Sequence, residues 1–271
     1  MTAGSVVRGL WAHVKPRFAG PAVGLAVVGG VLAGPRDVVL LAGHAALVAL
    51  AIYVAHLRDG EVDHYVRGED DANPLSRRAL RVAAVAASVA FVVGVVVLAR
   101  VDGVGALVTL PLLALAWLHA PILDTRPVSK TLDYPVGAAL AFAGGYRVQA
   151  GAVPPWVLAL AFAYVCLLVS LVARVDCADV SADATRGKRT LPVALGVAGA
   201  RRTAAGLSVL GGAVVCAGAL AGVFPVVLAA AGALPAVAGV AGTRLSPAGS
   251  VAASTAATYA LTAALVATYS L

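Results

Sequence analysis

Apolar runs of about twenty residues, each cut off by proline, glycine or a cluster of charge, recur at 18–34, 38–57, 80–99, 103–122, 134–152, 155–173, 203–221, 224–242 and 250–270. A helix of that length spans the roughly 30 Å of bilayer hydrocarbon. The pattern therefore predicts an all-α polytopic membrane protein, a bundle of about nine transmembrane helices forming a single domain over 1–271. The fifth run is the weakest, because Tyr134-Pro135 opens it and Gly144-Gly145 interrupts it. Composition agrees: 61% of the 271 residues are hydrophobic and 12% charged, against about 25% charged in a soluble domain. With a mean hydropathy of +0.94, the chain carries more apolar surface than a water-soluble core can use.

Charge adds an orientation. A net +7 on a soluble protein would point to nucleic acid, but in a membrane protein basic residues first report topology. With a cytoplasmic N-terminus, 17 of the 20 Lys and Arg residues fall in cytoplasmic segments, leaving Arg36, Arg100 and Arg147 outside. That asymmetry supports an odd number of spans in a cell membrane and removes any need for a nucleic-acid partner. Eleven of the 13 acids lie on the same side, Asp37 and Asp102 excepted. Acids count little in the topology rule, so their clustering calls for chemistry. The remaining polar candidates add less. Cys166, Cys177 and Cys216 show neither metal-ligand spacing nor a disulfide framework. His13, His44 and His64 lack partners at ligand spacing and read as structural. The first run is followed by many others, so it reads as a retained span rather than a cleaved signal.

The densest acidic stretch is Arg174–Gly196, RVDCADVSADATRGKRTLPVALG. Asp176, Asp179 and Asp183 stand at i, i+3 and i+7, so a helix continuing through 165–184 puts all three carboxylates on one face. Each like-charge pair costs about 0.2–0.5 kcal/mol on a solvated helix and more beside a membrane; a cation is their natural counterpart. Carboxylates without His or Cys suit a hard ion such as Mg²⁺, which keeps several waters and shares its shell with phosphate oxygens. Arg174, Arg186, Lys188 and Arg189 suit the same phosphate. A second cluster is expected in the loop after the second run. There Asp59 and Asp63 repeat the i, i+4 spacing of Asp179 and Asp183 at 120 residues' remove. Two such pairs on one side of a membrane can face each other across a bundle and hold metal between them. Glu69 to Arg81, with Asp70 and Asp71, reads as solvated connector. Between the clusters, the loop bearing His119, Asp124 and Asp133 offers Arg126 and Lys130 within reach of a diphosphate. The plainer alternative throughout is a set of charged, solvated loops that fix topology.

These Asp-rich cytoplasmic loops, after the second and sixth runs, make the chain resemble the UbiA superfamily of intramembrane prenyltransferases over nearly its whole length. The most specific part is Asp176-x-x-Asp179-x-x-x-Asp183-x-x-x-Gly187 with Thr190-Leu-Pro192, which is similar to that family's second aspartate motif and its trailing G-x-x-T-L-P. Asp59 and Asp63 match the last two acids of the first motif, N-D-x-x-D-x-x-x-D. Ala55 and His56 stand where the family carries Asn and Asp. Lys130 falls where the family places a basic residue of its middle loop. CDP-alcohol phosphotransferases also use membrane aspartates, but their D-G-x-x-A-R is absent here: Asp179-Val-Ser-Ala stands instead. Soluble isoprenyl synthases share the chemistry and are excluded by composition.

The resemblance implies a Mg²⁺-dependent enzyme moving a polyprenyl group from an allylic diphosphate to a lipophilic acceptor, both drawn from membrane lipid. The acceptor classes used by relatives are quinone precursors, haem, glycerol-phosphate lipids and carotenoids. Asp59, Asp63, Asp176, Asp179 and Asp183 would hold metal, and Lys130, Arg126, Arg186, Lys188, Arg189 and His56 the diphosphate. Tyr53, Tyr134, Phe142 and Tyr164 are candidates for walling an allylic cation, which a ring face stabilises by about 0.5–2 kcal/mol. A catalytically degenerate scaffold that binds isoprenoid lipid or a partner enzyme is the alternative that Ala55 and His56 motivate. A transporter fits less well, since the charges gather at one mouth.

Overall fold

The computed structural model describes residues 3–34, 36–69 and 73–270, and among them it is helical with no strand. In chain order the helices are α1 (Ala3–Ala12), α2 (Pro16–Leu32), α3 (Val38–Val62), α4 (Arg77–Val101), α5 (Gly103–Thr109), α6 (Pro111–Leu118), α7 (Pro127–Ala150), α8 (Pro155–Thr185), α9 (Leu191–Leu220), α10 (Val227–Ala241) and α11 (Pro247–Ser270). Local chemistry starts them where the sequence breaks. Proline occupies one of the first two positions of α2, α6, α7, α8 and α9, where its missing N–H removes no helical bond. Asp37 and Ser76 cap α3 and α4 by accepting from Leu40 N (2.9 Å) and Ala79 N (3.3 Å).

Each expected apolar run falls on helix, but the helices are unequal. Five stretches are long and apolar enough to cross a membrane: Val38–Arg67, Arg77–Val101, Pro155–Thr185, Leu191–Leu220 and Pro247–Tyr269. Pro16–Leu32, Gly103–Leu118 and Val227–Ala241 are shorter apolar helices. The fifth run lies on α7, which also carries Lys130, Asp133 and Arg147.

Of its Gly144-Gly145 pair, expected as an interruption, Gly145 packs against the backbone of α2 and Gly144 against His44 of α3. A Cβ on Gly145 would lie 1.9 Å from Ala26 O, and one on Gly29 would lie 2.0 Å from Phe142 O. Backbone thus touches backbone, as small residues allow where helices associate in lipid. Gly145→Ala should force the helices apart and lower stability by about 1–3 kcal/mol, read as a fall in the unfolding midpoint of the purified protein.

A second difference concerns the acids themselves. α3 does not stop with its apolar run: it continues to Val62 and through a π-helical turn, Asp63–Arg67. Asp59 and Asp63 therefore stand on helix rather than in a loop. α8 likewise extends to Thr185, carrying Asp176, Asp179 and Asp183 on helix as their spacing predicts. Cations from elsewhere in the chain offset the repulsion that would fray these extensions. Asp70 and Asp71 lie outside the described residues.

Candidate active site

The two acidic extensions converge on one cavity of about 1250 Å³, bounded by α2, α3, α7, α8 and α11. One end is polar. Asp59 and Asp63 line it from α3 and its terminal turn, and Asp176, Asp179 and Asp183 from α8. His56, Lys130, Arg186 and Lys188 join them. Arg126 and Arg189, expected beside the diphosphate, are not among the lining residues. Arg174 turns away altogether. It is 1% exposed and donates to Ser170 Oγ (3.4 Å), Gly239 O (2.8 Å) and Ser250 Oγ, which ties α8 to α10 and α11. Its spacing from Asp176, two residues, places it on the opposite side of the helix from the acids.

Asp59, Asp63 and Asp176 at the mouth each meet a cation, whereas Asp179 and Asp183 have none among the described ion pairs. Lys15 Nζ lies 3.3 Å from Asp59 Oδ2, and Lys130 Nζ lies 2.7 Å from Asp176 Oδ1. Arg67 Nη1 bonds Asp63 Oδ1 (3.1 Å) and Asp124 Oδ2 (2.7 Å). Lys188 Nζ is 2.7 Å from Glu69 Oε2, 3.8 Å from Asp124 Oδ2 and 3.9 Å from Asp63 Oδ2. Two backbone features aim these cations. Lys15 adopts a left-handed conformation (φ +43°) as the chain turns into α2, an uncommon state for a residue with a side chain and one that concentrates at functional sites. Gly187 (φ +72°) turns the chain after α8 so that Lys188 folds back toward Glu69. Burial alone would lower the Lys188 pKa; the hydrogen bond to Glu69 and the carboxylates of Asp124 and Asp63 outweigh it and hold the ammonium above the ordinary lysine value. Because the folded pKa is raised, this latch is complete at neutral pH and is lost only as pH climbs through that higher value.

Several of these residues were not read as site residues in the sequence. Lys15, Arg17, His119, Asp124 and Asp133 line the cavity, although Lys15 and Arg17 register in sequence only as topology-setting charges. Glu69 is no solvated connector, since it holds Lys188. Arg77 and Arg81, from the same expected connector, bind Glu61, a buried carboxylate at the end of α3. The available signal was an unusual density of acids between 59 and 71, but no local pattern names their partners.

The other end of the cavity is apolar, lined by Leu25, Val28, Leu168, Leu171 and Val172. Tyr134 and Tyr164 line it as expected, with Phe18 and Tyr259 besides. Tyr53 and Phe142 do not. Tyr53 donates to Leu10 O (3.3 Å), and Phe142 is buried behind Tyr164, their ring centroids 5.3 Å apart.

Among the described residues, no three acids or histidines converge closely enough to chelate a metal alone. The arrangement nonetheless fits a hard ion shared with a phosphate. Asp176 Oδ2 and Asp183 Oδ2 are buried without a hydrogen-bond partner, and the acids of both helices are oxygen donors at one mouth. A site that lacks a full protein cage is what Mg²⁺ accepts when substrate oxygens and waters complete its shell.

The family model for the UbiA prenyltransferase family matches residues 18–261. The chain belongs to that family. Solved structures share its fold at low identity. A structure of digeranylgeranylglyceryl phosphate synthase is 13% identical with a TM-score of 0.80, covering 98% of this chain and 99% of that one. A UbiA homologue from Archaeoglobus fulgidus bound to GPP and Mg²⁺ is 16% identical with a TM-score of 0.74, covering 98% of each chain. The apo UbiA homologue from Aeropyrum pernix K1 is 17% identical with a TM-score of 0.72, covering 93% of this chain and 97% of that one. No curated protein matches the chain in a sequence search. Apolar helices and family membership together make this UbiA-family chain an integral membrane protein. Its first motif departs from the pattern at Ala55, which does not line the main cavity, and at His56, which does.

Proposed function

We propose that the chain is a Mg²⁺-dependent intramembrane prenyltransferase, carrying a prenyl group from an allylic diphosphate to a lipophilic acceptor. The observation that carries this reading is the polarity of the main cavity: two sets of carboxylates and five lining cations at one end, tyrosines and aliphatic side chains at the other. The Archaeoglobus fulgidus homologue bound to GPP and Mg²⁺ supports placing a diphosphate at the acidic mouth and an isoprenoid tail in the apolar end.

Mg²⁺ held by Asp59 and Asp63 on one side and Asp176, Asp179 and Asp183 on the other would supply positive charge to the departing diphosphate. Lys130, Arg186 and Lys188 add to that charge, and the two lysines are held by carboxylates before reaction rather than recruited during it, which is what makes such stabilisation effective. Lys130 and Lys188 already neutralise carboxylates, so each can exchange a carboxylate for a phosphate oxygen at little electrostatic cost. The tyrosine rings of Tyr134 and Tyr164 bound the space in which allylic charge develops, and the apolar walls keep water from it.

The same reading takes residues 1–271 as one domain of about nine spans, its N-terminus and acidic mouth cytoplasmic. In a variant without the three native cysteines, Arg78→Cys and Thr185→Cys should react with a membrane-impermeant thiol reagent only after the cytoplasmic face is opened. Ala152→Cys should react in intact cells. Labelling of the first two from opposite sides would sink the shared mouth.

The direct test uses membranes containing the protein and labelled geranylgeranyl diphosphate, with and without Mg²⁺, following diphosphate release and lipid products. Release that requires Mg²⁺ and the intact acids is expected. Inactivity with every prenyl diphosphate, despite correct folding, would transfer the argument to a scaffold that binds isoprenoid lipid.

A further inference from the structure

Beside the main cavity lies a second space of about 100 Å³, walled by α2, α3, α6 and α7. Its walls are alkyl: Ala51 and Ala55 from α3, Leu112 and Ala116 from α6, Ala138 from α7. Its polar groups are His56, His119 and Asp133. Those three and Tyr134 also line the main cavity, so the two spaces share a boundary. The chamber exists partly because position 55 carries a methyl group where the resembled motif carries an amide. Nothing in the proposed handling of the diphosphate uses it.

Given the prenyl-transfer reading, on which this rests, we infer that the chamber binds the reacting end of the acceptor, a small neutral group bearing a hydroxyl on an apolar body. Three observations fix that chemistry. Size comes first: an apolar cavity of about 150 Å³ holds benzene, so a chamber of about 100 Å³ takes one ring or a short branched chain only with part of it reaching across the open boundary, and rejects a macrocycle. Charge comes second. Among the described residues no lysine or arginine lines the chamber, whereas Lys15, Arg17, Lys130, Arg186 and Lys188 line the main cavity. A carboxylate or phosphate placed in it would lie against Asp133, and His119, which can carry positive charge, is already paired with that carboxylate. Hydrogen bonding comes third. His119 Nδ1 bonds Asp133 Oδ2, and Asp133 Oδ1 accepts from Tyr134 N (2.6 Å). These contacts hold the imidazole in place. Its Nε2 is 3.9 Å from Asp59 Oδ1, beyond hydrogen-bond reach. A hydroxyl can serve as donor or acceptor, so it matches Nε2 in either protonation state. An acceptor so held stands at the boundary where the allylic carbon would arrive.

The test uses full-length protein in lipid nanodiscs, with binding heats corrected against empty nanodiscs. The probes are p-cresol, a small neutral phenol; 4-hydroxybenzoate, the same shape with one negative charge; and geranylgeranyl thiolodiphosphate with Mg²⁺ as a donor that does not ionise. Wild-type protein should bind p-cresol, and 4-hydroxybenzoate about tenfold or more weakly, as expected when a buried charge goes unpaired. Ala116→Leu fills the chamber from a helix that bears none of the acids. It should weaken p-cresol about tenfold or more and leave donor-analogue affinity within about twofold, since Ala116 does not line the main cavity. Leu112→Ala opens the chamber and should admit 2-naphthol, which wild type excludes; it also carries the test should Ala116→Leu fail to fold. The inference is overturned by wild-type protein that ignores p-cresol, by 4-hydroxybenzoate binding as tightly, or by filled and opened variants that match wild type. Failure of the donor analogue to bind wild type would instead overturn the prenyl-transfer reading, while the p-cresol comparison still decides what the chamber holds.

Discussion

Asp183→Asn and Asp179→Asn should each lower prenyl transfer about 10²–10³-fold, the usual consequence of removing one element of a preorganised electrostatic site, while insertion and folding persist. Asp183 is buried and its Oδ2 has no hydrogen-bond partner. Asparagine keeps the shape and removes the charge, so the chemistry suffers and packing does not. Asp179 is exposed and lines the cavity between its two neighbours on α8. Acids contribute little to topology, so neither change should alter orientation. The measurement is turnover at saturating Mg²⁺ in membranes where expression and thiol accessibility match wild type. Near wild-type turnover in either variant would remove that residue from the metal site.

Chelating divalent ions with EDTA should abolish turnover, about 10³-fold or more given the several kcal/mol a bound cation contributes to charge stabilisation, and should not unfold the protein. The second half of that expectation comes from the ion pairs. Asp59, Asp63 and Asp176 are neutralised by Lys15, by Arg67 and Lys188, and by Lys130 respectively, so removing the metal leaves only Asp179, which is exposed to solvent, and Asp183 without a cation. Turnover should return on adding Mg²⁺, with the unfolding midpoint of the chelated protein close to that of the untreated one. A large fall in that midpoint would mean the metal holds the fold, against the arrangement of lysines and arginines described above.

Lys130 illustrates how much of the site could be read in advance. Its position in the middle loop, together with the resemblance, marked it for the diphosphate, and it does line the cavity. Its partner Asp176, on another helix, had no signature in the loop at all. Arg174 illustrates the opposite. Beside the acids it looked like a fourth phosphate-binding cation, yet two residues along a helix is a turn of about 200°, and the guanidinium is buried among serines and a carbonyl instead. Gly144-Gly145 was read as a weakness in a span because an isolated helix loses stability at glycine. In the bundle Gly145 permits backbone contact between α2 and α7, and Gly144 makes room for the His44 ring of α3.

By itself the sequence determined the all-helical membrane class, the helical spacing that sets Asp176, Asp179 and Asp183 on one face, and the concentration of acids at one end of the spans. Each of these follows from hydropathy over about twenty residues or from a 3.6-residue period, both of which are local. Only the tertiary structure decided which cations meet which acids, that the first acid pair rides on a continued α3, that Ala55 opens a side chamber, and that Tyr134 and Tyr164 rather than Tyr53 and Phe142 line the cavity. Those outcomes depend on how helices distant in sequence approach and rotate against one another, and that is set by close packing across the bundle, which no window of the sequence contains.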